Sequence, residues 1–206
     1  MIRAAMVRES GRLFGVPAVR AAAAVYVALT FGGAVILAGD PEWASSLPRG
    51  AFYGRLVLLG LVVPWIISRV TLSRGVVLAS EIGVRGRFAA SALAGKAAAG
   101  VLCSLWLVVL TGPVDVLIWV RTRESSGAIS LSLLSLLVFA TMLVVATLNL
   151  NLNWKDPVSS LLMSWLLAGF ALVVFSIAPQ FAIWLVVIGV LTLVLARRGA
   201  RGPVGV

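Results

Sequence analysis

The chain has 206 residues, 61% of them hydrophobic and only 12% charged, with a mean hydropathy of +1.10. A soluble domain is nearer half apolar and a quarter charged, so this composition argues against one and predicts an all-α, polytopic membrane protein. The net charge of +10 and the isoelectric point near 11.6 belong, in that setting, to topology and contact with anionic headgroups rather than nucleic acid. No basic-aromatic module stands outside the apolar runs.

Residues 1–18 place Ile2, Met6, Leu13 and Phe14 near one helical stripe and Arg8 and Arg12 on another face, which predicts an interfacial amphipathic helix. A signal peptide is the competing reading. The run that follows is of full spanning length and lacks a convincing cleavage site, so a first membrane helix is expected at about 19–39. A turn-rich loop with Asp40, Glu42 and Trp43 leads to a second helix at about 52–72, with Arg55 near its start and Pro64 inside it. Neighbouring helices can satisfy the carbonyl that a proline frees.

The segment 73–88 is the longest polar interruption and carries Arg74, Gly75, Glu81, Arg85 and Arg87. A third helix is expected at about 89–111, ending at Gly112-Pro113, with Lys96 snorkelling from its first turns. Ser91, Gly95, Ala99 and Cys103 recur every four residues along it, a small-residue seam that permits close helix approach. Intrachain packing is favoured there over a subunit interface. Residues 114–120 are too short to span and are expected at the interface, anchored by Trp119.

Helices at about 129–150, 157–178 and 181–196 complete six spans. Asn149, Asn151 and Asn153 fall at the inner end of the fourth. They mark either a helix terminus with exposed amides or a polar inner vestibule, since three buried amides need partners.

With the N-terminus inside, thirteen of the seventeen Lys and Arg face the cytoplasm, and only Arg49, Arg55, Arg121 and Arg123 face outward. Asp40, Glu42, Asp115 and Glu124 face outward with them, so all the net positive charge is cytoplasmic, as the positive-inside rule requires. Both termini and the 73–88 segment are then cytoplasmic.

Catalysis finds little support. Histidine is absent, no two acids share a helical face, and the lone Cys103 sits in an apolar run. Gly95-Lys96 lacks the rest of a phosphate-binding loop, because residues 88–93 hold no glycine and Ala97 replaces the hydroxyl residue. The chain is expected to be no enzyme and to bind no metal or cofactor of its own.

Six helices, an amphipathic start, cytoplasmic ends, and a polar loop running from Ser73-Arg74-Gly75 to Leu93-Ala94-Gly95-Lys96 resemble an ABC-2 type transporter permease. The local motif covers about twenty-five residues, with Ser73 where the family usually has an acid and no proline in mid-loop. The resemblance implies a permease subunit of an exporter in a bacterial plasma membrane, coupled through the 73–88 loop to a separate ATPase that binds ATP and Mg. It also implies a second permease chain, as homodimer or heterodimer, to enclose the pathway. Arg74, Gly75, Glu81, Arg85, Arg87 and Lys96 are then the coupling candidates. Scarce intramembrane charge points toward amphipathic or lipid-like cargo. A non-transporting membrane scaffold or accessory subunit is the alternative, and it needs only helix packing and a basic inner face.

Overall fold

The computed structural model describes residues 14–40, 42–72, 86–123, 126–153 and 156–177, together with Val7, Gly11 and Val187. Among the described residues the chain forms helices and no strand. They are α1 (Pro17–Gly39), α2 (Leu47–Leu72), α3 (Gly86–Leu110), α4 (Gly112–Thr122), α5 (Ser126–Asn153) and α6 (Pro157–Ile177), with a short 3-10 turn at Ala44–Ser46. Five spans in these elements are long and apolar enough to cross a membrane: Pro17–Gly39, Leu47–Ser68, Gly95–Thr122, Gly127–Asn151 and Val158–Ile177. The chain is a multi-pass helical membrane protein. The expected sixth span at 181–196 lies outside the described residues, as does most of the amphipathic start at 1–18.

The boundaries follow local chemistry. Asp40 ends α1 and accepts the Glu42 N–H at its Oδ1 (2.9 Å), forming a tight polar turn. The helix α2 starts at Leu47 rather than near residue 52, because Pro48 falls in its first turn, where a missing N–H costs nothing. At the head of α6, Asp156 accepts the Ser159 N–H (2.9 Å) and the Ser159 hydroxyl, with Pro157 next in line. Those bonds hold the Asp156 carboxyl below its ordinary value of 3.8.

A depressed folded pKa means that this cap is complete above the unfolded value and is lost as pH falls through the folded one. The stability difference between the native protein and Asp156→Asn, measured by unfolding in detergent, should therefore be constant above pH 3.8 and shrink below it. A difference that grows on acidification would refute the assignment.

The bundle is arranged around α2. Half of its span is buried, against 17% for α1, and it packs on α1, α5 and α6 while α3 packs on α5. Since lipid is as apolar as leucine, close packing rather than water exclusion joins such helices. Phe139 of α5 meets Phe175 of α6 edge-on at 5.7 Å, and Phe175 also reaches Phe52 of α2 at 6.4 Å. Gly60 of α2 lies against Ala168 of α6, where an added Cβ would stand 3.7 Å from its methyl. At the next residue, Trp165 of α6 donates its Nε1–H to the Leu61 carbonyl at 3.1 Å. The carbonyl that Pro64 frees is that of Gly60, four residues before it, so this bond ties α6 to α2 beside the proline without replacing the one it removes.

The third expected helix departs most from the pattern. It begins earlier, at Gly86, and does not end in an interfacial segment after Gly112-Pro113. A second helical piece, α4, continues it, and the two together make one span, Gly95–Thr122. The physical reason is that Gly112 and Pro113 occupy the first two positions of α4, where proline is compatible with a helix start. Val114 and Ile118 are buried against Ala34 and Ala38 of α1 and Leu47 and Ala51 of α2, forming a small second core. Trp119 is exposed on the opposite face of α4, and Arg123, in the left-handed region at φ 53°, closes the helix by donating its N–H to the Trp119 carbonyl at 2.9 Å.

Candidate functional site

A charged pair lies inside the bundle. Arg55 of α2 and Asp115 of α4 face each other through two parallel hydrogen bonds, Nη1 to Oδ2 at 3.0 Å and Nη2 to Oδ1 at 2.8 Å. The pair is deeply buried, with side-chain exposures of 1% and 8%. Arg55 was expected near the first end of the second helix and Asp115 in an outer interfacial segment, both counted among the outward-facing charges. Both sit inside a span, Arg55 eight residues from Leu47 and Asp115 seven before Thr122. At 1.5 Å per residue, these depths are about 12 Å and about 10 Å. They match, which lets the charges meet.

The local fold explains why this arrangement is tolerable. An isolated Arg or Asp deep in a bilayer costs about 2.5–3.5 kcal/mol on insertion scales. Bidentate geometry pairs both carboxylate oxygens with guanidinium protons, and Asp115 lies in the first turn of α4, where the helix dipole favours an acid.

Around the pair is a small polar cluster drawn from α1, α2 and the α3–α4 junction. The Tyr26 ring is fully buried, with Thr111, Thr30, Arg55 and Asp115 as polar neighbours. Thr30 turns its hydroxyl back to the Tyr26 carbonyl at 2.8 Å. Thr111 turns its own to the carbonyls of Leu107 (3.3 Å) and Val108 (3.0 Å), capping the end of α3. The Tyr26 hydroxyl and the Arg55 Nε are buried and make no hydrogen bond of good geometry.

The residues singled out from sequence fall elsewhere. Arg74, Gly75, Glu81 and Arg85 lie outside the described residues. Arg87 and Ser91 belong to the first turns of α3, and Lys96 is half-buried on the same helix. Gly95, Ala99 and Cys103 are buried, the last two in the main core. Asn149 and Asn151 fall within a helix that continues to Asn153, so none of the three lies beyond the helix end. Asn149 and Asn151 are half-buried: the first donates Nδ2–H to the Val145 carbonyl at 3.2 Å, and the second accepts the Ser160 hydroxyl of α6 at Oδ1. Among the described residues no three His, Cys, Asp or Glu come together as metal ligands.

The elements and the buried pair define a class, a helical multi-pass membrane protein with a polar cluster inside one end of its bundle. No protein family, curated protein or solved structure matches the chain.

Proposed function

We propose that the chain is the membrane subunit of an ABC-type exporter, a six-span permease with both termini in the cytoplasm that works as a dimer beside a separate ATPase. The observation that carries this reading is the connection between α2 and α3. The most buried span of the bundle leads directly, through Leu72, into the polar segment 73–85, and α3 leaves that segment at Gly86. A partner that grips the segment therefore pulls on the central helix rather than on a peripheral one. The charges fit such a partner: Arg74, Glu81 and Arg85 lie in the segment, with Arg87 in the first turn of α3. The positive-inside count supports a cytoplasmic position for this end of the bundle. ATP and Mg would be held by the partner, and the cargo in this reading is amphipathic or lipid-like.

Affinity purification of the full chain in mild detergent tests the proposal. An ATPase carrying Walker motifs should co-purify, and Arg85→Glu with Arg87→Glu should weaken its retention at least about tenfold, since like charges across an interface are costly. Absence of any such ATPase, with the charge-reversed chain behaving as wild type, would instead favour the scaffold reading.

A further inference from the structure

The helix α4 is joined to the bundle by few strong bonds. At its start the hydrogen-bond ladder of α3 is interrupted, because Pro113 has no N–H and the Thr111 hydroxyl is committed backwards to Leu107 and Val108. Space is open at the junction, where a Cβ built on Gly112 would meet nothing within 4 Å. The apolar contact is modest, Val114 and Ile118 resting on the alanines at 34, 38 and 51 and on Leu47, with Phe31, Leu37 and Leu117 half-buried at its edge. The outer face, with Val116, Trp119 and Val120, is exposed. The strong tie is Asp115 to Arg55.

The closed arrangement also leaves the Tyr26 hydroxyl and the Arg55 Nε buried without good partners. Buried donors without good partners are costly, and of the two the Tyr26 hydroxyl has the Thr111 and Thr30 hydroxyls near it, so the Arg55 Nε is the group the closed arrangement penalises most. A buried ion pair, moreover, is a poor source of net stability compared with an apolar contact of equal volume, and its best-attested use is to fix one arrangement against another.

We propose that the Arg55–Asp115 pair is a latch that holds α4 shut over the end of α1 and α2 remote from segment 73–85. When the pair parts, α4 swings about Thr111–Pro113 and opens Tyr26, Thr30 and Arg55 to solvent. The latch rests on the geometry of the chain alone, so its failure would leave the permease reading standing.

The native thiol provides an internal control. Cys103 is buried in the main core, whereas Ile118 is buried only beneath α4. In the full chain carrying Ile118→Cys and purified in detergent, the rate of N-ethylmaleimide labelling is read separately at positions 103 and 118 by peptide mass spectrometry. Adding Asp115→Asn should raise the rate at position 118 by at least about tenfold, the loss of a buried charge partner being strongly felt, and leave Cys103 unchanged. Replacing both partners, as Arg55→Met with Asp115→Leu, should return position 118 to its original rate, because an apolar pair keeps the helix shut.

Unchanged labelling in Asp115→Asn overturns the latch. So does a parallel rise at both positions, which would make the pair a support of the whole fold, or a double variant that labels like the single one. If Asp115→Asn does not accumulate, Arg55→Lys is read in its place, since it keeps the charge but gives up the two-pronged geometry.

Discussion

Asp115→Ala should destabilise the folded protein by about 3–5 kcal/mol, because it strands a guanidinium in a dry interior. Arg55 is 1% exposed, and both of its hydrogen bonds go to this one carboxylate. The same loss is expected for Arg55→Ala, which strands the acid. The two losses will not add. Once one partner is gone, removal of the other relieves the unpaired charge, so Arg55→Met combined with Asp115→Leu should lie within about 1 kcal/mol of wild type, or above it. Thermal or detergent-driven unfolding of the four proteins gives the cycle directly. Single losses below about 1 kcal/mol would show a pair already solvated in the folded state, contrary to its burial.

The second large effect is expected at Gly100, where three helices touch. A Cβ built there would stand 2.8 Å from Cδ1 of Ile67 in α2 and 2.8 Å from Cγ1 of Val144 in α5. The isoleucine methyl is the end of a flexible side chain and can turn away. The valine cannot do so easily, because one χ1 rotamer dominates for β-branched residues in helices. Gly100→Ala must therefore push α3 and α5 apart by a few tenths of an ångström, and Gly100→Leu by far more. Overpacking of this kind costs about 1–3 kcal/mol, with the leucine expected at the upper end. Gly112→Ala, where a new methyl meets nothing, is the matched control and should be nearly neutral by the same unfolding assay.

Composition and hydropathy made the helical, membrane-spanning class readable, and four of the expected spans reappear within about five residues of their predicted limits, while the third runs on to Thr122. The misplaced boundaries share a cause. Prolines at 48 and 113 read as breaks in a linear pattern, yet each stands in the first two positions of a helix, where it is compatible. At the other end of the scale, Asn151 looked like a helix-ending residue because nothing in a linear reading shows Ser160 of the next helix reaching back to it.

The polar cluster was the least legible feature. Arg55 and Asp115 are sixty residues apart, and hydropathy says how deep a residue lies but not which neighbour it faces. One signal was present: two opposite charges, each alone in an apolar run, at nearly equal distances from the ends that a membrane would align. Counting both simply as outward-facing charges, with Asp115 in an interfacial segment, concealed it. The Tyr26 and Thr30 contributions carried no signal, since both residue types are ordinary in apolar helices.

The sixty-residue gap has a consequence in time. At about 5–20 residues per second, Arg55 is synthesised about 3–12 s before Asp115. Throughout that interval the second span contains a cation whose partner has not yet been made. Lying about 12 Å from one end of its helix, the side chain can extend toward the nearer headgroups, a posture incompatible with its final contacts. The pair can therefore close only after Asp115 has been made, and insertion of the second span has to tolerate an unpaired Arg55 until then.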